Sequence, residues 1–383
     1  MSLARKIILS ILGVIATISV GATVWGLQIL ANFEGHMDQT YQPRTTADAA
    51  EQRALVQATE PISILLLGTD QGAFGREDNL GRSDAMMVVT INPTKEQTTV
   101  VSLSRDIMAN LQGSMDIPQT GINDKINHAY AFGGPEMAIE TLNALLDINI
   151  TYYASINMQG LADMVDAVGG IEVNNELGEF SVYDGPYGTT IVPAGLQMMN
   201  GDIALAYARM RNYDPDGDVG RQARQREIIE ILVQRLISLD SLTNYQRIFE
   251  AVSQNMRTDL RFHTMIDILE GYHAAARNIQ TFQLRGVSQL IDGVYYELVA
   301  QDDLLEIQNI LRAQLGLPEN HMINDWRTVT FESFTGLRAG FSVDLKTGHF
   351  RNGDEENEQE EMSGGENPVY WEEPAAEYEV GAW

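Results

Sequence analysis

The chain has 383 residues, and its 25 Lys and Arg face 53 Asp and Glu, for a formal net charge of −28. Such acidity opposes binding to phosphodiester backbones, so the composition argues against nucleic acid as a partner. Cysteine is absent, which excludes disulfides, Cys-ligated zinc, iron–sulfur clusters and a thiol nucleophile.

The N-terminus carries a long apolar run, Ile7–Leu30, with no charged residue, directly after Arg5 and Lys6. As a helix this run would span ~36 Å at ~1.5 Å per residue, enough to cross a bilayer core. The basic pair before it predicts that the N-terminus stays in the cytoplasm and the remainder is exported. A signal peptide cleaved after Ala22 is the alternative, but the run is longer than such a peptide needs. We expect a single-pass cell-membrane protein whose anchor lies within residues 1–30.

After residues 31–60, a polar and alanine-rich stretch that we interpret as a stalk, predicted strands and helices alternate. The apolar run at 62–68 ends in glycine and predicts a strand buried on both faces. The other predicted strands are 85–91, 98–103 and 152–156, and the predicted helices are 135–147, 158–168, 201–210 and 221–238. This alternation predicts an α/β fold over residues 61–315, with a central mixed sheet flanked by helices.

Residues 316–383 are predicted to be a C-terminal extension that ends in an acidic tail. From Asn352 onward, Asp and Glu recur among Gly, Asn and Pro. Such a composition buries too little apolar area to fold, so we expect a disordered tail.

Charged side chains recur at the ends of the predicted strands. Asp70 follows the first strand, Asp84 precedes the second, and Arg105 follows the third. Arg82 and Lys125 lie close to strand or helix ends in the same region. Arginine supplies planar, always charged donors that suit pyrophosphate oxygens, and carboxylates with phosphate suit Mg²⁺. We therefore predict a pyrophosphate site with Mg²⁺ held by Asp70 and Asp84.

Two later segments add basic and amide groups. Arg209 and Arg211 are two residues apart and cannot share a helical face, so one or both must lie where a helix ends. Arg221 and Gln225 are one helical turn apart and share a face. Singly, a strand-end Asp is often a turn former, and an Arg beside an Asp is often a surface pair of little consequence. The concentration of arginines in a chain with only 25 basic against 53 acidic residues is the stronger signal.

At this point the chain resembles the LytR-CpsA-Psr family of bacterial cell-envelope proteins. The matching segments follow family order from about residue 61 to 313: Leu66–Asp70, Arg82–Val89, Val101–Asp106, Lys125–Pro135, Val165–Val173, and Ala204–Arg211 through Gln225. Two departures are mild, since Ser104 stands where the family often has Pro and Ala85 where Thr is usual.

The resemblance implies transfer of an anionic glycopolymer from an undecaprenyl-pyrophosphate carrier onto peptidoglycan, with Mg²⁺ as cofactor. It implies Asp70 and Asp84 as the metal ligands. The residues that it implies for the pyrophosphate are Arg82, Arg105, Lys125, Arg209, Arg211, Arg221 and Gln225. Three of these, Arg105, Arg209 and Arg211, are expected to be catalytic together with Asp84. The expected reaction is phosphoryl transfer, which the site would accelerate by positioning and electrostatics.

The resemblance also implies an apolar pocket for the lipid tail, and the predicted helices at 136–147 and 158–168 are candidates for its wall. Their apolar faces are equally expected in the core. The group that takes the hydroxyl proton stays open, with Asp84 and Asp106 as candidates. Three other functions remain: a pyrophosphatase that uses water with the same residues, a non-catalytic module that binds lipid-linked glycan, and a transcription attenuator. Export and acidity disfavour the last.

Overall fold

A computed structural model describes residues 40–44, 60–69, 81, 83–183, 188–237, 248, 253–324 and 327–351. The predicted anchor, Asp70, Arg82 and the predicted acidic tail lie outside these residues. Within the described part, no helix has both the length and the apolar character that a membrane crossing needs.

A six-stranded sheet forms the centre of the structure, in the order β11-β6-β1-β2-β3-β12. Its strands are β1 (Ile62–Thr69), β2 (Ser83–Asn92), β3 (Gln97–Leu103), β6 (Tyr152–Asn157), β11 (Met256–Thr258) and β12 (Ile279–Leu284). Strands β1, β3, β6 and β12 run in one direction, whereas β2 and β11 run in the other. The predicted mixed sheet is confirmed.

Eight shorter strands pair in ribbons outside this sheet, β4 with β5, β7 with β10, β8 with β9, and β13 with β14. Two of these pairs join β4 (Met108–Asn110) to β5 (Asn123–Lys125) and β7 (Ile171–Asn175) to β10 (Gly195–Met199). The other two join β8 (Phe180–Tyr183) to β9 (Thr189–Val192) and β13 (Val287–Ile291) to β14 (Val294–Leu298). None was predicted. Each has only three to five residues, too few to display a clear hydrophobic period.

Helices cover both faces of the sheet, as predicted. They are α1 (Ile126–Leu146), α2 (Met158–Ala167), α3 (Gly201–Arg209), α4 (Gly217–Ile237), α5 (Phe262–Tyr272), α6 (Gln301–Gln314) and α7 (Phe331–Thr335). Leu65 and Leu67 of β1 pack in the main core with α1 and α6, whereas Leu66 packs in a cluster that includes Ile229 of α4. Because successive strand side chains point to opposite faces, β1 is buried on both, as its apolar run predicts.

Helix α1 is kinked, which explains why the predicted helix at 135–147 covers only its second part. Gly133 and Gly134 have non-helical backbone angles, and Gly134 has φ 65° with ψ −157°, a conformation that only glycine adopts readily. Pro135 follows, where its fixed φ suits the first turn of the second segment. The first segment of α1 begins directly after Lys125, so this residue lies at the N-terminal end of the helix.

Both ends of the described chain are attached to the sheet. Gln42 donates its N–H to Thr258 O of edge strand β11 at 2.7 Å, so this part of the predicted stalk is joined to the domain. Arg44 forms an ion pair of 2.7 Å with Asp259. Burial raises the pKa of Asp259, and the nearby Arg44 guanidinium opposes that rise.

At the other end, residues 342–351, here called the C-terminal strap, pack beside β12. Gln283 of β12 donates its N–H to Leu345 O at 2.6 Å. Val343 donates its N–H to the Asp303 carboxylate of α6 at 2.9 Å. The first part of the predicted C-terminal extension is therefore fastened to the sheet edge and to a core helix.

The Asp303 carboxyl should make stability depend on pH. Burial raises its pKa from 3.8 to about 6, so the folded chain holds this proton more tightly than the unfolded chain. The resulting stabilisation is complete below about pH 4 and is lost as the pH rises through about 6. Asp303→Asn keeps an acceptor for Val343 but carries no charge. We expect its Tm to fall less than that of the wild type between pH 4 and 7. Exposed Asp116→Asn is the control, and parallel Tm curves for all three proteins would contradict the assignment.

Candidate functional site

The strand directions bring several strand ends to one edge of the sheet. The last residues of β1, β3, β6 and β12 lie there together with the first residues of β2, and Thr69 is paired with Ser83. The residues that directly follow β3 or open β2 therefore lie beside one another. This edge carries the described members of the predicted site.

Four charged side chains at this edge, Asp84, Arg105, Asp106 and Lys125, form what we call the charged cluster. Arg105 Nη1 donates to Asp84 Oδ1 at 2.9 Å, and Arg105 Nε lies 3.6 Å from Asp106 Oδ2. Lys125 Nζ donates to Asp106 Oδ1 at 2.7 Å. The side chains are 17–28% exposed, so the cations are oriented by carboxylates yet remain accessible to a ligand.

Backbone hydrogen bonds explain why Arg105 and Lys125 meet, although they are far apart in sequence. Ile126 donates its N–H to Ile107 O at 2.9 Å, and Asn127 donates to Arg105 O at 3.4 Å. The loop after β3 is thereby fastened to the start of α1. Sequence reasoning named Asp106 only as a candidate base, whereas the structure shows it between Arg105 and Lys125.

An apolar cavity of about 270 Å³ lies at the same edge, between the sheet and helices α2 and α4. Its wall includes Leu66 and Met87 of the sheet, Leu161 and Met164 of α2, and Ile228 of α4. Two helices were candidates for the wall of a lipid pocket, and the one at 158–168 does line a cavity. The helix at 136–147 does not line it, because its apolar face packs in the main core.

Two polar side chains of the predicted site lie on this apolar wall, Arg209 and Gln225. Gln225 Nε2 donates to Ala208 O at 3.4 Å. Its Oε1 is buried without a hydrogen-bond partner in the described part of the chain. A buried acceptor of this kind normally has a partner, which makes the amide a candidate ligand contact.

A second cavity, of about 190 Å³, is polar and lies on the β3–β12 side of the same edge. Its lining comprises Ser104, Arg211, Asp216, Val219, Gln222, Gln283, Arg285, Tyr295 and Glu297. Glu297 accepts the Gly286 N–H at 3.0 Å. Burial raises the pKa of Glu297, and the nearby Arg285 guanidinium opposes that rise.

The two arginines that end α3 therefore open on different cavities. Helix α3 ends at Arg209, and Met210 has an extended backbone with φ −59° and ψ 134°. Arg209 lies on the apolar wall and Arg211 on the polar one. The prediction that at least one of them lies beyond the helix end is confirmed. Arg221, the remaining predicted cation of this region, is buried in α4.

Arg224 of α4 holds the segment that carries these two arginines, a role that sequence reasoning missed. Its Nε donates to Tyr207 O at 2.9 Å, and its other nitrogens donate to Met210 O and to the Asp214 carboxylate. Gly220 faces the same carboxylate so closely that a Cβ would collide with it. Asp214, which lies just before α4, is the carboxylate partner of this buried guanidinium.

The geometry offers a place for an amphipathic anion. Ala85 of the apolar cavity directly follows Asp84, and Ser104 of the polar cavity directly precedes Arg105. Because Met86 pairs with Leu103, Ala85 and Ser104 are neighbours, and both cavities and the charged cluster share this edge of the sheet. A molecule with a long apolar chain, an anionic head and a polar remainder matches an edge that carries an apolar cavity, a charged cluster and a polar cavity.

Comparisons with known proteins agree with one another. The model of the LytR_cpsA_psr family matches residues 29–313. The polyisoprenyl-teichoic acid–peptidoglycan teichoic acid transferase TagU of Enterococcus faecalis is 44% identical over 315 residues, 82% of this chain and 99% of that protein. Protein gbs0355 of Streptococcus agalactiae is 39% identical with a TM-score of 0.69, over 73% of this chain and 96% of that one. The structure of TagT bound to LIIa-WTA is 27% identical with a TM-score of 0.56, over 68% and 92%.

Removing the Arg224 guanidinium should destabilise the fold through Asp214. Arg224→Met leaves a carboxylate that is 4% exposed without its cation, and we expect a loss of about 3–5 kcal/mol in the free energy of unfolding. The double variant with Asp214→Asn should lose less than the sum of the single variants. Urea denaturation measures all three, with exposed Arg235→Met of the same helix as control. Strictly additive losses would contradict direct coupling.

Proposed function

Because the chain belongs to the LytR-CpsA-Psr family, we propose that it transfers an anionic glycopolymer from undecaprenyl pyrophosphate onto peptidoglycan. The observation that carries the proposal is the charged cluster at the sheet edge that also carries an apolar and a polar cavity. The relative from Enterococcus faecalis, whose name states a polyisoprenyl donor and a peptidoglycan acceptor, is matched over 99% of its length. Because the match extends over nearly the whole relative, the activity in the name of that relative is not limited to a fragment absent from this chain.

In this proposal the apolar cavity receives the polyprenyl chain next to the carrier phosphate. Its lining is mostly apolar, and its polar members are Ser155, Asn157, Arg209 and Gln225. Burial of a hydrocarbon chain there gains ~25 cal/mol for each Å² removed from water. The pyrophosphate then lies against Arg105, Lys125 and the arginines at 209, 211 and 221. Arg82 belongs to the same proposed set.

The chemistry needs little beyond position and charge. A hydroxyl of the acceptor attacks the sugar-side phosphorus, and undecaprenyl phosphate leaves with the bonding electron pair. Arg105 and Lys125, already oriented by Asp84 and Asp106, neutralise the charge that develops on the phosphoryl oxygens. No covalent intermediate is required, so the proposed reaction needs no nucleophilic side chain of this chain.

We further propose that Asp84, with Asp70, holds Mg²⁺. The donor chemistry fits, since Asp84 is a partly exposed carboxylate at the sheet edge, and Thr69, which precedes Asp70, is paired with Ser83, which precedes Asp84. Within the described residues, no three acidic or His side chains group as metal ligands, so substrate phosphate and water would complete the shell. Bound there, Mg²⁺ would supply charge neutralisation at the phosphates.

The transferase proposal predicts that Arg105 matters more for turnover than for binding. With lipid-linked glycan and a peptidoglycan acceptor, Arg105→Ala should lower kcat by about 100-fold or more, with a smaller loss of donor affinity. Arg105→Lys should recover little, because an ammonium group cannot replace the bidentate fork. Exposed Arg338→Ala is the matched control.

The same assay separates the competing functions by product analysis. Glycan–phosphate–peptidoglycan together with undecaprenyl phosphate supports the transferase. Undecaprenyl phosphate alone, in the presence of a competent acceptor, supports a pyrophosphatase. Tight donor binding with no release would leave only a binding module and would defeat the enzymatic proposal.

The metal proposal predicts that Asp84→Asn loses Mg²⁺-dependent turnover. The amide is nearly isosteric but has no charge, so the carboxylate contribution to Mg²⁺ affinity is removed. Titration calorimetry should show weaker Mg²⁺ binding in this variant when a non-hydrolysable pyrophosphate is present. Exposed Asp116→Asn serves as the control. Wild-type Mg²⁺ affinity and rate in Asp84→Asn would remove this residue from the metal site.

A further inference from the structure

The C-terminal strap contacts two residues that line the polar cavity. His349 Nε2 lies 3.7 Å from Asp216 Oδ2, and the Arg285 guanidinium lies 4.8 Å from the centre of the Phe350 ring. Both Asp216 and Arg285 belong to the cavity lining. Because the strap ends at Arg351, residues 352–383 continue from a point close to this cavity.

The place of the strap does not depend on the residues after it. Its last residue, Arg351, donates its N–H to Ser342 O of its first residue at 3.0 Å, so its two halves lie side by side. Gly348 lies so close to Gln283 that a Cβ would come within 2.4 Å of Gln283 Oε1, and its φ of 78° also suits glycine. These contacts fix the start of the following segment beside strand β12.

Residues 352–383, the predicted acidic tail, contain eleven Asp and Glu and no Lys or Arg. They lie beyond the part of the chain that the family model matches, which ends at residue 313. At ~3.3 Å per residue in extended form, this segment can span ~100 Å, so its carboxylates can reach the whole of the nearby sheet edge. The chain therefore carries a polyanion that is tethered next to a site with clustered cations.

Two arginines on the strap side of the cavity have donors to spare. Arg211 is exposed, and no carboxylate of the described residues forms an ion pair with it. Arg285 Nη1 donates to Gly348 O at 3.5 Å, but its Nε has no partner in the described part of the chain. Exposed Lys346 and Arg351 of the strap add two cations nearby. Guanidinium groups with unused donors are well suited to carboxylates.

Repulsion elsewhere makes these cations the favoured contact of the tail. The rest of the chain is also net acidic, so most of its surface repels a segment rich in carboxylates. In the cavity, Asp216 faces His349, and burial raises the pKa of Glu297, so both carboxyl groups weigh less against an incoming anion. Attachment to the strap keeps the local concentration of the tail at about a millimolar, so weak ion pairs are sufficient for binding.

We propose that the acidic tail binds at the mouth of the polar cavity, through carboxylate contacts with Arg211 and Arg285, and competes there with the anionic donor. The competition with a donor rests on the proposed transferase function, whereas the contact itself does not. While the tail is bound, a ligand must displace it, so the apparent affinity for any anion falls with the fraction of chains whose site is open. The tail thereby favours a donor that gains further affinity from its polyprenyl chain over small free anions.

The absence of cysteine allows the contact to be mapped with introduced pairs. Ser363→Cys, in the middle of the tail, is combined with Asn212→Cys, exposed beside Arg211, or with Asn149→Cys, exposed before β6 at the opposite edge of the sheet. Each pair is oxidised in the full chain, with the native tail and with a tail whose Asp and Glu are all replaced by Asn and Gln. We expect this neutralisation to slow disulfide formation with Asn212→Cys by about fivefold and to leave the Asn149→Cys pair unchanged. An equal effect on both pairs, or no effect on either, would overturn the contact.

Affinity for inorganic pyrophosphate tests the competition. In the full chain at low ionic strength, neutralising the tail should raise this affinity by about fivefold, and the gain should vanish at about 0.5 M salt. In an Arg211→Ala background the gain should fall below about twofold, because the tail has lost a contact that it shares with the ligand. The matched control is exposed Arg277→Ala, just before β12, in which the full gain should persist. An unchanged affinity after neutralisation, or the full gain in Arg211→Ala, would overturn the proposal.

Product analysis separates this proposal from the transferase. If neutralising the tail raises pyrophosphate affinity but no form of the chain makes glycan–phosphate–peptidoglycan, the transferase function fails and the tail contact stands. If the product forms and neutralisation changes neither pyrophosphate affinity nor cross-linking, the tail proposal alone fails. If neither the native nor the neutralised chain binds pyrophosphate, the competition is overturned.

Discussion

The direction of the strands in the central sheet is the constraint on which the site depends. Because β1, β3, β6 and β12 run parallel to one another and β2 and β11 run against them, four strand ends and two strand starts meet at a single edge. Strand β2 contributes Asp84, and the loop after β3 contributes Arg105 and Asp106, so no single strand could form the site alone. The two cavities follow from the same arrangement, one beside β6, β1 and β2 and the other beside β3 and β12.

Electrostatics at this edge differ from those of the chain as a whole, which carries a net charge of −28. Helix α4 buries Arg221, Arg224 and Arg226, each under 9% exposed, and the charged cluster adds two partly exposed cations. Burying a guanidinium is costly unless hydrogen bonds replace water, as carbonyl and carboxylate oxygens do around Arg224. An acidic surface around a fixed basic site directs anionic groups to that one place.

The sequence was sufficient to predict the parts of the fold with a strong local signal. The apolar run at 62–68 and the Pro135 segment correspond to β1 and to the second part of α1. Arg105 and Lys125 were predicted to belong to one site, and the structure brings them together through Asp106. Arg224 and Glu297 were not assigned roles, since their partners, Asp214, Tyr207 O and the Gly286 N–H, are non-local and leave no periodic pattern. For the same reason, the apolar face at 136–147 could not be distinguished from a cavity wall by spacing alone.

The late position of the sheet's edge strands has a consequence for biogenesis. Strand β3 must pair with β12, which the ribosome makes some 180 residues later, and β1 must pair with β6 across roughly 90 residues. Long loops have to close before these pairings stabilise anything, so the sheet is expected to assemble slowly. Until β11 and β12 arrive, both sides of the β6-β1-β2-β3 core present unpaired backbone groups to other chains. Newly made chains are therefore most vulnerable to aggregation during the interval between synthesis of β3 and of β12.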